Sequence, residues 1–204
     1  MQCKRFMVCV GIDVGLGSVH AVALDQALQV LAAAELGLSG IGPFCRQQRP
    51  DVVAVDAPQA WPPPGTRRLA EVELVRMGIR LFMTPSDPSM RARPFYAWMH
   101  TGMEVFRVLE RIGYRPFGDR MCLPLSMEVL PHATTRILAG ERPGNITKSR
   151  WRRMVLEREG VETDKLSNRH LVDACLAALT GIYAIAGRYR ALGDQRTGLI
   201  VIPS

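Results

Sequence analysis

Two short apolar runs, each ending in an aspartate, constrain this chain more than any other feature. The first is Phe6-Met7-Val8-Cys9-Val10-Gly11-Ile12-Asp13; the second is Asp51-Val52-Val53-Ala54-Val55-Asp56. Neither alternates polar with apolar residues, which is how a strand buried on both faces reads. Strands of that kind sit in parallel sheets covered by helices, so an α/β architecture is predicted. Neighbouring parallel strands bring their C-terminal ends to one rim, where α/β proteins place their sites. Asp13 and Asp56 are therefore expected to converge.

The rest of the chain fills in a mixed sheet. Val14-Gly15-Leu16-Gly17-Ser18 reads as a tight turn, Val19 to Asp25 as a second strand and Leu28 to Leu36 as a third. Their short links predict an antiparallel meander. A short helix is expected over Ile41 to Gln48, stopped by Pro50, and a stiff loop over Trp61-Pro62-Pro63-Pro64-Gly65. Helical spacing returns over Arg67 to Met77, ahead of Gly78, and over Phe95 to Ile112, ahead of Gly113; Met83 to Arg93 between them reads as irregular loop. Met121 to Leu130 reads as strand, Ala133 to Leu138 as a short helix, and Thr147 to Glu159 as a basic helix. A helix capped by Ser167 runs to Ile185, and Gly198 to Ile202 closes the chain as a strand. An antiparallel three-strand meander with parallel strands added, flanked by helices, is the predicted fold.

The 204 residues suit a single domain over 1–204, with a helical insertion around 67–120. The five cysteines include no C-x-x-C pair; they read as small buried hydrophobes of a reducing cytoplasm. The N-terminal apolar run meets Asp13 too early for a signal peptide, and Leu171 to Gly187 contains Asp173 and is too short for a membrane span, so a cytoplasmic protein is expected. The formal net charge of +7 favours an anionic partner, of which nucleic acid is the commonest large one.

Four acids stand out from their surroundings: Asp13, Asp56, Glu128 and Asp173. Three lie at or near the ends of apolar strands, and Asp173 lies among Leu171, Val172, Ala174 and Cys175 on an apolar helix. Acids are rare in such segments unless paired or bound to a cation. Gathered carboxylates repel one another unless a hard cation such as Mg²⁺ or Mn²⁺ neutralises them. Two such ions ~4 Å apart can clamp the attacking and leaving oxygens of a phosphodiester, with no need of a Ser-His-Asp arrangement.

Four segments resemble the DUF429 family, predicted nucleases of the ribonuclease H fold. They are Gly11-Ile12-Asp13-Val14-Gly15, Val55-Asp56-Ala57-Pro58, Glu128-Val129-Leu130-Pro131-His132-Ala133-Thr134-Thr135-Arg136, and His170-Leu171-Val172-Asp173-Ala174-Cys175-Leu176-Ala177-Ala178-Leu179-Thr180. The resemblance extends to the terminal Gly198-Leu199-Ile200-Val201-Ile202-Pro203. The last helix is also similar to that of RuvC-type Holliday-junction resolvases, which carry an acid or histidine three residues before an aspartate. Here His170 and Asp173 have that spacing and share a helix face. The resemblance implies Asp13, Asp56 and Asp173 as metal ligands and His170 as a ligand or proton donor. No acid in Ile41 to Gln48 matches the first-helix glutamate of ribonuclease H, and Glu128 is inferred to replace it as a catalytic ligand.

Basic residues cluster at Arg67-Arg68 and at Lys148, Arg150, Arg152 and Arg153, with Trp61 and Trp151 available for stacking; a nucleic-acid groove for DNA or RNA is expected there. His132, four positions after Glu128, is either a proton shuttle or phosphate contact, or a packing residue at a helix start. Two other functions stay open. Asp13-Val14-Gly15-Leu16-Gly17-Ser18 resembles the first phosphate loop of the sugar-kinase and actin phosphotransferases, although those need two such domains. A non-catalytic binding module that has kept the fold is the other.

Overall fold

The computed structural model describes residues 6–118 and 120–204. Cys3, expected to be a small buried hydrophobe, lies outside the described residues. The central sheet has six strands in the order β3-β2-β1-β4-β6-β5. Strands β1 (Val8–Val14), β2 (Val19–Asp25) and β3 (Val30–Leu36) form the antiparallel meander. Strands β4 (Val52–Asp56), β5 (Arg115–Pro116) and β6 (Leu125–Glu128) add in parallel. This is the predicted arrangement.

Pleat parity divides the sheet chemically. Cys9, Gly11 and Asp13 of β1 project to one side, and Val8, Val10 and Ile12 to the other. The first side meets α7 (Arg169–Ile185), a helix buried almost all round, as its near-continuous apolar sequence requires. The second side meets α1 (Leu38–Gln48) and α4 (Ala97–Arg111), whose Val105, Phe106 and Leu109 pack on Val10, Ile12 and Val55. The long helix of the expected insertion is thus one layer of the core.

Gly11 sets how close α7 can come. A Cβ there would lie 1.9 Å from the carbonyl oxygen of Ala174 and 2.3 Å from the amide nitrogen of Ala178. Only glycine allows that approach, and it presses the N-terminal half of α7, with Asp173, against the end of β1.

Helix α2 (Leu69–Arg76) leads to the four-residue α3 (Pro88–Arg91), which falls in the expected loop, and to a 3₁₀ turn over Pro94–Tyr96. Helices α5 (Pro131–Ala139) and α6 (Lys148–Arg158) follow β6, with Thr147 capping α6. Asn168, not Ser167, caps α7, accepting hydrogen bonds from the amides of His170 at 2.9 Å and Leu171 at 3.0 Å. The final strand β8 (Gly198–Pro203) pairs with β7 (Tyr189–Asp194), which the sequence reading missed because its polar residues and Gly193 break any apolar pattern. The hairpin joins the sheet through a single bridge from Val201 to Val129 and packs its apolar side on α2 and α5. Among the described residues, no helix is long and apolar enough to cross a membrane.

Candidate metal and nucleic-acid site

Strand register assembles the centre of the site. Asp13 pairs directly with Asp56 across the parallel β1–β4 ladder, and with His20 across the antiparallel β1–β2 ladder. Residues in register project to the same face at neighbouring positions, here the face that α7 covers. The first turns of α7 then bring His170 and Asp173 over the strand ends. His170 Nδ1 and Asp13 Oδ2 are 2.8 Å apart, and the His170 ring stacks on His20 with centroids 4.8 Å apart and planes at 21°. His20 Nε2 lies 3.7 Å from Glu35 at the sheet edge.

On the other side of Asp13 the charges crowd. Burial, then the neighbouring Asp13 and Asp173 carboxylates, push the Asp56 carboxyl well above the ordinary carboxylate range. Burial also raises Asp173, although Arg152 pulls the other way. Arg152 forms an ion pair with one oxygen of Asp173; the other, Oδ1, is buried with no hydrogen-bond partner. Buried carboxylate oxygens are seldom left so, and such an orphan calls for a water or an ion as partner.

A divalent cation fits these residues. Asp13, His20 and His170 each offer a ligand atom, and the three atoms lie within 4.8 Å of one another; Asp56 and Asp173 stand beside this group and are not members of it. The orphaned Asp173 oxygen and the mutual repulsion felt by Asp56 are what positive charge at the rim would relieve. Carboxylate oxygens suit Mg²⁺ and Mn²⁺.

Glu128 requires a correction. It pairs in register with Val55, one position out of step with Asp56, so it points to the opposite face of the sheet from the aspartates. There Arg68 grips it bidentately, at 2.7 and 2.6 Å, and the Gln59 amide donates a third hydrogen bond at 2.9 Å. A carboxylate so occupied is an internal counter-ion and not a ligand of the cluster. Arg68, expected on a nucleic-acid surface, is 1% exposed. It also bonds Glu71 at 3.2 Å and the Thr197 carbonyl at 2.8 Å, tying α2 to the β7–β8 hairpin.

Two more residues of the expected basic groove are committed inside the fold. Arg152 is buried against Asp173, and Arg153 donates to the backbone carbonyls of Thr163 and Leu166. Arg67, Lys148 and Arg150 remain exposed. Lys148 faces the acids from the start of α6; partial burial of its ammonium and the adjacent Arg152 lower its pKa. His132 is pushed down to about 4 by burial and by Lys148, Arg152 and Arg136. It is therefore a neutral imidazole at neutral pH, which argues against a cationic phosphate contact.

Two participants escaped the sequence reading. His20 could have been found by counting back from the Val14–Ser18 turn, which sets it opposite Asp13. Arg152 as the partner of Asp173 has no local signal, because the two meet only when α6 packs beside α7.

Among solved structures, the chain is similar to Thermus thermophilus RuvC in complex with a Holliday junction substrate. The identity is 16% and the TM-score 0.52, covering 89% of this chain and 96% of that one. A second structure of Thermus thermophilus RuvC superposes with a TM-score of 0.49 at 16% identity, over 89% of this chain and 97% of the other. No curated protein matches the sequence. With the sheet order above, the first likeness makes the fold ribonuclease H-like. Residues 11–197 match the family model described as "Protein of unknown function (DUF429)", and the chain belongs to that family.

Proposed function

We propose that this protein is a divalent-metal-dependent nuclease that hydrolyses phosphodiester bonds of nucleic acid, with Asp13, Asp56 and Asp173 as the ligands of its Mg²⁺ or Mn²⁺. The observation that carries the reading is the in-register pair Asp13–Asp56, facing a helix that supplies Asp173 with a buried, unpartnered oxygen. The RuvC neighbour, solved with a Holliday junction substrate, shares this fold and supports nucleic acid as the partner.

When bound, the cation would supply Lewis-acid activation of water and charge stabilisation for the leaving oxygen. The chain's own groups do the rest. Asp13 holds the His170 ring through its Nδ1 and Arg169 Nε donates to its Nε2 at 3.2 Å, so the imidazole is oriented from both sides. Displacement of the exposed Arg169 side chain would free Nε2 to exchange a proton with the reacting phosphodiester or its water. Arg152 fixes the rotamer of Asp173 and holds positive charge beside the strand ends. Lys148 adds a cation at the approach, so a polyanion is not turned away by the carboxylates.

One observation favours a second reading, a non-catalytic binding module: Arg152 already neutralises one oxygen of Asp173 without any metal. Cleavage of single- and double-stranded DNA, RNA, a hybrid and a four-way junction, with Mg²⁺, Mn²⁺ or chelator, separates the two. The nuclease reading expects metal-dependent cutting of at least one substrate, lost in Asp13→Asn and Asp173→Asn. No cutting of any substrate by folded protein in Mn²⁺, or full activity in Asp173→Asn, sinks it.

A further inference from the structure

Beside the acids opens a cavity of about 290 Å³ with two unlike walls. One wall is polar: Asp56, Asp173, Lys148, Arg152 and His132. The other is apolar and aromatic, with Leu81 and Phe82 from the segment after α2, where Arg80 and Thr84 also line the cavity, and Trp98 from the first turn of α4. Arg68, Glu71 and Glu128 also line the cavity, but their hydrogen bonds are satisfied among themselves and with Thr84.

The polar wall is not satisfied. Arg152 Nε, His132 Nδ1 and Asp173 Oδ1 are buried without partners, three of the five such side-chain atoms among the described residues. All three residues line this one cavity. Concentrated in that way, the unmet hydrogen-bonding capacity calls for partners from outside the chain, such as water, an ion or a ligand. The aromatic wall continues outward: Phe82 is 67% exposed and meets Phe95, 53% exposed, edge to face at 5.1 Å. The lining carries acids and bases in equal number, Asp56, Glu71, Glu128 and Asp173 against Arg68, Arg80, Lys148 and Arg152, so an anionic head is received at Lys148 and Arg152 and not by the cavity as a whole. Large apolar side chains left open beside those cations suit a ligand with a flat apolar body and an anionic head. The volume lies at the small end of the roughly 300–1,000 Å³ typical of small-molecule sites, enough for one nucleotide and not for a double helix.

We propose that this cavity receives a single unpaired nucleotide of the substrate strand, its phosphate against Lys148 and Arg152 and its base against Trp98 and Phe82. This rests on the nuclease reading and narrows it. Substrates with a nucleotide free of its stack, such as single strands, flaps and branch points, enter the site, whereas a continuous duplex pays to unstack a base first. Phe82 and Trp98 are then specificity-determining residues.

The test is equilibrium binding in chelator, so that it does not depend on cleavage. The probes are a five-nucleotide single strand and a dumbbell duplex with closed ends, and the proteins are the wild type, Phe82→Ala, Trp98→Ala and Lys148→Met. Stacking of one base predicts that the Phe82 and Trp98 variants lose about 5- to 150-fold affinity for the single strand, with dumbbell affinity unchanged. Lys148→Met weakens both. Phe82 is open to solvent, so its variant folds even where Trp98→Ala does not. The proposal is overturned if the wild type fails to bind the single strand, if Phe82→Ala binds it as tightly as wild type, or if both probes lose equally. If instead the single strand binds as predicted but Mn²⁺ gives no cleavage, the nuclease reading fails and the pocket stands.

Discussion

Replacing Gly11 with alanine tests how the site is held together. The added Cβ would sit 1.9 Å from the carbonyl oxygen of Ala174, and ordinary contact begins near 3.4 Å, so helix α7 must retreat by about 1.5 Å. Both obstructing groups are helix backbone, which cannot swing aside as a side chain would. Overpacking of a tight interior costs ~1–3 kcal/mol, and a backbone clash belongs at the upper end. For a chain of this length, ~3 kcal/mol lowers Tm by roughly 6–12 °C. The functional effect should exceed the stability effect. Ala174 follows Asp173 directly, and a displacement of ~1 Å at a reacting centre can cost about 100-fold in rate. Gly181→Ala is the control: its Cβ would meet Cys9 Sγ at 2.1 Å on the same seam, but eight residues along the helix, roughly 12 Å from Asp173. Thermal denaturation with single-turnover cleavage, measured well below both Tm values, distinguishes them. The account expects both variants destabilised and only Gly11→Ala slowed by tens of fold or more. A Gly11→Ala protein with wild-type Tm, or one destabilised yet as active as Gly181→Ala, would refute the reasoning.

Without metal, Asp56 should make stability depend on pH in a definite direction. Its folded pKa is raised above the unfolded value of roughly 3.9, so its contribution is greatest below that pH and is lost as pH rises through the folded value. Asp56→Asn should therefore gain Tm relative to wild type as pH rises from 4 to 8 in chelator; a constant difference would contradict this. Removing the buried cation in Arg68→Met leaves Glu128 and Glu71 unpaired and should cost ~3–5 kcal/mol in denaturant unfolding; a loss under 1 kcal/mol would show that the network is not closed as described. In Arg152→Met, Asp173 is freed from its ion pair, so divalent-ion affinity should rise by calorimetry while affinity for single-stranded nucleic acid falls in chelator. A fall in both would mean that Arg152 supports the helix and not the charge balance.

The sheet core was legible because its strands carry their signal locally. The runs ending at Asp13 and Asp56 are apolar on both faces since each is central and covered, and their shared rim follows from parallel pairing alone. Asp173 was legible as an acid inside an apolar helix, and His170 only through the resemblance of that helix to RuvC-type resolvases. Glu128 misled because a strand-end acid looks the same whichever face it points to; one residue of parity separates the face of Asp13 and Asp56 from the face of Arg68, and only the register with Val55 decides it. Arg68, Arg152 and Arg153 looked like surface charge for a related reason. Composition reports a cation, but burial of a cation depends on acids and carbonyls brought from 21 to 129 residues away in Asp173, Glu128 and Thr197, or from the loop after α6. Strand β7 failed through weak hydropathy, because a hairpin with one solvated face and a glycine at Gly193 carries little periodic signal.

The central claim is that folding gathers Asp13, Asp56 and Asp173 into one divalent-cation site. Anomalous scattering from crystals soaked in Mn²⁺ tests it most directly. The account predicts a peak at the C-terminal ends of β1 and β4, liganded by Asp13 and by the Asp173 oxygen that has no protein partner. Density at that wavelength that is absent from the rim at millimolar Mn²⁺, or confined to acids elsewhere on the surface, would contradict it.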